Sequence, residues 1–151
     1  MKNSGILLLY KSAVEKSGNV RDVPLLLMRL VLAYGFYTTA LMKWRNISGV
    51  AEWFSSLGIP VPLLNAYLAA ATEAAGVVLL ILGLTTRIIS IPLIATMIVA
   101  IVTVHLNNGF EAGNNGFEIP LYYAIMLSAL LINGAGKISL DHYLGERLKI
   151  N

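Results

Sequence analysis

The chain has no cysteine, so it forms no disulfide framework and carries no thiol redox centre of its own. Charge is scarce as well. Only 13% of the 151 residues are Asp, Glu, Lys or Arg, against roughly a quarter in a soluble domain. Strands with alternating polarity are missing, as are internal repeats and a second composition block. The net charge of +3 is spread along the chain in single residues, which is no footprint for nucleic acid. What remains is hydrophobic: 57% of the residues are apolar and the mean hydropathy is +0.73. The apolar residues come in blocks, and blocks of this kind read as membrane spans.

Four such blocks occur, at about 24–42, 63–84, 88–105 and 118–136. In hydrocarbon every backbone N–H and C=O must be bonded internally, which leaves helices or a closed barrel. Long runs without period-2 alternation select helices. The expected fold is therefore an all-α membrane protein, a four-helix transmembrane bundle in a single domain over 1–151. Punctuation supports the boundaries. Asp22 before Pro24 suggests a cap; Pro60 and Pro62 open the second span; Gly83, Asn115-Gly116, Gly134 and Gly136 mark turns. Pro92 falls in the first turn of the third span or kinks it.

Four spans put the N-terminus, the second loop and the C-terminus on one side. That side holds Lys2, Lys11, Lys16, Arg21, Arg87, Lys137, Arg147 and Lys149, and the other holds Lys43 and Arg45. Positive residues stay inside, so both termini are expected in the cytoplasm, with the protein multi-pass in the cytoplasmic membrane. In the first outer loop Val50, Trp53, Phe54 and Leu57 recur at helical spacing, predicting a short interfacial helix. The second, HLNNGFEAGNNGFE, reads as an ordered cap or a mobile lid. The stretches 6–16 and 140–150 are mildly amphipathic and are expected on the inner surface.

Two ionisable residues break the apolar spans. Arg29 lies in the first and Glu73 near the middle of the second. A charge at that depth costs at least ~2.5–3.5 kcal/mol without a partner, so each is a candidate for function. Glu73 shares its face with Ala66, Ala69, Ala70, Gly76 and Val77, small enough to admit a close neighbour. Arg29, Ala33, Phe36, Ala40 and Lys43 share one face of the first span. His105 ends the third span and Glu118 begins the fourth, both toward the outer side. Each has a plain structural reading. Arg29 and Glu73 form a register-fixing ion pair; Lys43 snorkels to the headgroups; His105 is interfacial; Glu118 favours a helix N-terminus. Together they place Glu73, His105 and Glu118 as candidate proton-handling residues, with Arg29, Lys43, Tyr37 and Tyr122 as ligand-binding candidates. Tyr34, Tyr67 and Tyr123 are further aromatics suited to a ring-shaped ligand or to packing. No HxxxH-type spacing supports a metal.

The order of these pieces resembles the DoxX family of small four-helix membrane proteins. The matching segments are RLVLAYGFYTTALMKW, then FSSLGIPVPLLNAYLAAATEAAGVVLLILGLTTR, then IATMIVAIVTVHLNNGF, and the tail GAGKISLDHYL. Arg29, Lys43, Glu73, Arg87, His105, Glu118 and Asp141 are the positions that carry over. The resemblance implies association with membrane redox complexes, among them a thiosulfate:quinone oxidoreductase. Some relatives accompany redox-defence enzymes, and others stand beside machinery that modifies copper-binding peptides. The leading expectation is thus a redox-associated membrane subunit holding a quinone or other small apolar ligand, working with soluble or membrane redox or biosynthetic partners. The alternatives are a non-catalytic anchor or assembly scaffold, and a small anion carrier that would need a homodimer.

Overall fold

The computed structural model describes residues 21–148. The expected surface stretch 6–16 and the lysines of both extremities lie outside them. The described residues are helical, without a strand. In chain order, α1 is Asp22–Arg45, α2 Ile47–Ser56, α3 Pro62–Leu82, α4 Thr86–Ala100, α5 Glu118–Asn133 and α6 Leu140–Leu148. Beyond Ala100, α4 continues through a π-helical turn, Ile101–His105, and a short 3-10 turn, Leu106–Asn108.

Three helical stretches are long and apolar enough to cross a membrane: Asp22–Arg45, Pro62–Leu82 and Thr86–Asn108. The apolar helix α5 has 16 residues, about 24 Å at 1.5 Å per residue. It stops at Gly134, short of the expected 136, because Gly134 takes φ 78° and the chain turns away.

Helix ends follow local chemistry, with one exception. Pro62 occupies the first turn of α3, where its missing N–H is no loss. Gly83 closes α3 at φ 63°. Pro92 sits inside α4, not in its first turn. Asp22 does not cap α1; its Oδ1 accepts from the Lys137 backbone N–H at 2.8 Å, tying the exit of α5 to the start of α1.

Helix α1 packs mainly on α3, α4 on α5, and α3 on both α2 and α4. The shared core includes Leu25, Leu32, Phe36, Leu80, Leu93 and Leu127. The anticipated face of α1 is buried, Arg29, Ala33, Phe36, Ala40 and Lys43; on α3 Ala66, Ala70, Glu73 and Gly76 are buried, with Ala69 and Val77 half-buried. Pairs between these helices run in opposite senses. Arg29 meets Leu80, whereas Trp44 meets Ala70. The helices are therefore antiparallel. One end of the molecule, the lid end, carries the 106–117 loop. The other, the tail end, carries the α3–α4 turn and residues 134–148.

Candidate functional site

Lys43 Nζ lies 2.8 Å from both Oε1 and Oε2 of Glu73. Both side chains are buried, 11% and 5% exposed. The helix geometry explains the pairing. Side chains lean toward the N-terminus of their own helix. Lys43, in the last turn of α1, therefore reaches back toward the membrane interior. Glu73, on antiparallel α3, leans toward the lid end, and the two meet between helices. The expected snorkelling of Lys43 is thus corrected: the ammonium points inward to a carboxylate.

The expected Arg29–Glu73 pair is corrected by the same geometry. Arg29, like Lys43 on the same helix, leans toward the tail end, which carries it away from Glu73. Its Nη1 donates to the Leu80 carbonyl at 3.3 Å and its Nη2 to that of Ile138. Leu80 is seven residues past Glu73 on α3, about 10 Å along the axis. Arg29 is fully buried, and it fastens the tail to the last turn of α3. Beside it, Asp141 Oδ1 and Oδ2 accept from the Thr85 and Thr86 N–H groups at 2.7 and 3.1 Å, capping α4 from a distant stretch of chain. The Asp141 N–H bonds the Gly83 carbonyl at 3.0 Å. The seven positions shared with the family resemblance therefore separate by place. Arg29, Arg87 and Asp141 are at the tail end. Lys43, Glu73, His105 and Glu118 are toward the lid end.

A cavity of about 850 Å³ opens beside the Lys43–Glu73 pair. Its walls are Gly35, Phe36 and Thr39 of α1, Trp53 and Phe54 of α2 with Leu57 just beyond it, and Ala69 and Thr72 of α3. Met97, Ala100 and His105 from α4 and its extension, with Tyr123 of α5, complete them. The lining is mainly apolar, with polar groups at Lys43, Glu73, His105, Asn65 and the threonines. The stripe Val50, Trp53, Phe54 and Leu57 thus lines a chamber, with Trp53 44% exposed at its edge. The π-helical turn Ile101–His105 inserts a residue relative to α-helical register, and both Val104 and His105 line the cavity.

The 106–117 loop covers the cavity with Ala112, Asn115 and Gly116. Phe117 N–H bonds the Gly109 carbonyl and Glu118 N–H that of Phe110, each at 3.0 Å. His105 Nδ1 lies 2.8 Å from the Asn115 carbonyl oxygen. A carbonyl only accepts, so Nδ1 carries a proton, which in the neutral tautomer makes Nε2 the accepting nitrogen. Glu118 Oε2 accepts from Ala112 N–H at 3.0 Å and Oε1 from the Tyr122 hydroxyl at 3.1 Å. Oε2 thus holds the loop and Oε1 a tyrosine of its own helix, and Glu118 is absent from the cavity wall. Glu118 therefore braces the loop from outside the wall that Glu73 and His105 share.

Tyr37 and Tyr122 are 53% and 45% exposed and lie outside the cavity. The aromatic residues that do line it are Phe36, Trp53, Phe54 and Tyr123. Tyr123 stacks edge-on to Phe36 at 5.6 Å, over Gly35. Sequence alone pairs Tyr122 with Tyr123 without separating them. Glu118 at i−4 from Tyr122 is the one signal that turns Tyr122 outward. Thr39, Thr72 and Asn65 were not anticipated, because single polar residues within spans carry no pattern. Among the described residues no three His, Asp or Glu side chains converge in a metal-binding group.

The DoxX family model matches residues 24–106. An uncharacterized protein of Haemophilus influenzae is 34% identical over 123 residues, covering 79% of this chain and 82% of the relative. In Bacillus subtilis, the protein named "Putative oxidoreductase CatD" is 33% identical over 124 residues, 81% of this chain and 87% of that one. The inner membrane protein YphA of Escherichia coli is 31% identical over 129 residues, 82% and 92% of the two chains. No solved structure matches.

Proposed function

Since the chain belongs to the DoxX family of membrane proteins, we propose that it is the membrane subunit of a redox-associated complex and holds a quinone-like ring in the lid-end cavity. In this reading α1, α3, α4 and α5 all span the cytoplasmic membrane as one domain. The tail end, with Arg21, Arg87 and Lys137, faces the cytoplasm, and α2 lies at the opposite interface. The partners are soluble or membrane redox or biosynthetic enzymes, one relative being named an oxidoreductase.

The observation that carries the reading is the cavity itself. At about 850 Å³ it falls within the roughly 300–1,000 Å³ of small-molecule sites, which are likewise apolar with a few convergent polar groups. The polar groups suit a ring bearing two oxygens. Lys43 gives two of its three N–H donors to Glu73, leaving one for a ligand carbonyl. His105 Nε2 accepts from a hydroxyl. With such a ring bound in its hydroxyl form, His105 and Glu73 would be the groups placed to take up its protons. Glu118 holds the lid, and Arg29 holds the tail.

The test is native mass spectrometry of the gently extracted protein. The expected result is an adduct with the mass of a membrane quinone, lost in Ala100→Phe, which places a ring in the cavity. Bare protein, or an adduct indifferent to Ala100→Phe, rejects the reading. In the intact complex, unchanged quinone-linked turnover with Glu73→Gln rejects the proton role.

A further inference from the structure

A second pocket, of about 620 Å³, lies at the tail end, some 20 residues of α3 and α4 away from the lid and unconnected with the ligand cavity. Arg21, Arg87 and Lys137 line it, together with Asp22, Asp141 and His142. Its charge is unbalanced. Both Asp141 oxygens are taken by Thr85 and Thr86, and Asp22 Oδ1 by the Lys137 backbone. His142 Nε2 faces Glu146 at 3.4 Å. Among the described residues no carboxylate lies within ion-pair distance of Arg21, Arg87 or Lys137. Arg21 Nη2 donates to Asn133 Oδ1, and Arg87 Nη2 to the Ile132 carbonyl at 3.2 Å. Each guanidinium has five N–H donors, so most remain available. Three cations against two carboxylates thus line one concavity, a formal excess of one positive charge, and the carboxylate oxygens named are turned to backbone N–H groups rather than to the cations.

We propose that this pocket binds the phosphodiester of an anionic phospholipid. Guanidinium groups match phosphate oxygens two at a time, and an ammonium adds a point charge. Basic pockets between membrane helices on the cytoplasmic side are suited to such headgroups. The surroundings favour a lipid over a free phosphate. The chain neighbours of the pocket residues are large, apolar and uncovered: Val23 is 46% exposed, Ile88 68% and Ile132 75%. They offer acyl chains a surface directly below the headgroup. The lipid would bridge the starts of α1 and α4, the end of α5 and the tail.

The test is thermal unfolding of the full chain in detergent, titrated with phosphatidylglycerol, phosphatidylcholine or inorganic phosphate. Phosphatidylglycerol is expected to raise Tm saturably, and the other two to act only weakly. Arg87→Gln and Lys137→Gln should each raise the half-saturating phosphatidylglycerol concentration about fivefold. Arg45→Gln, at the lid end, should leave it unchanged. The Lys137 side chain makes no hydrogen bond among the described residues, so Lys137→Gln carries the test if Arg87→Gln does not fold. An equal response to inorganic phosphate would assign the pocket to a free anion and overturn the lipid. A wild-type response in Lys137→Gln, or the same loss in Arg45→Gln, overturns the site.

Discussion

Lys43 donates to both carboxylate oxygens of Glu73 at 2.8 Å, joining the last turn of α1 to the middle of α3. The pair sits in the wall of the lid-end cavity. It both fixes the register of two antiparallel helices and places a charge couple where a ligand would meet it.

Breaking the pair from one side leaves an uncompensated buried charge. Lys43→Met and Glu73→Gln are each expected to cost about 3–5 kcal/mol. The double variant Lys43→Met/Glu73→Gln leaves neither charge and should recover most of that loss. Equilibrium unfolding of the three variants in mixed micelles measures the coupling. Additive losses in the double variant would mean that the two residues do not act as a pair.

Gly83 and Gly134 both take positive φ, at 63° and 78°, but their surroundings differ. A Cβ on Gly83 would collide with Arg29 Nη1 and come within 2.6 Å of Ser139 Cβ. On Gly134 the nearest atom is Arg87 Nε at 3.3 Å. Gly134 has ψ −168°, a region essentially reserved to glycine, so Gly134→Ala should cost about 1–3 kcal/mol in backbone strain. Gly83→Ala adds a side-chain clash to its milder left-handed strain, and it alone should loosen the Arg29 contacts. Unfolding midpoints of the two variants give the comparison.

Asp141 caps α4 through two backbone N–H groups. Asp141→Asn keeps the shape but loses the charge and one acceptor. A cost of about 1 kcal/mol is expected, felt first in the tail. Limited trypsin digestion should cut after Lys137 faster than in the wild type, with the spans left intact.

At Gly35, a Cβ would fall on the Tyr123 ring. Gly35→Ala should push that ring into the cavity and weaken binding of a quinone analogue by about tenfold. Gly35→Ala/Tyr123→Ala should restore it. Equal binding by wild type and Gly35→Ala would place the ligand elsewhere.

Much of this was legible in the chain. The small residues around Glu73 correctly turn it inward, and the spacing of Arg29, Ala33, Phe36, Ala40 and Lys43 correctly defines the buried face of α1. The partner of Glu73 was not legible. Periodicity tells which residues share a face, but not how far two antiparallel helices are offset, nor that side-chain tilt brings Lys43 and Glu73 together and carries Arg29 away. The tail was illegible for a related reason: Asp141 meets Thr85 and Thr86 more than 50 residues away in sequence, and no local pattern reports that contact. The amphipathic stripe of α2 was legible as a stripe. That it lines a cavity depends on α3 lying beneath it.

If the lid-end cavity holds a quinone-like ring, Trp53 on its wall reports it directly. Trp44 and Trp53 are the two tryptophans of the chain, so Trp44→Phe leaves one indole, at the cavity. Titrating a short-chain quinone analogue onto that variant in lipid nanodiscs should quench Trp53 fluorescence saturably, and adding Ala100→Phe should abolish the saturable part. Linear quenching that Ala100→Phe leaves unchanged would contradict the account.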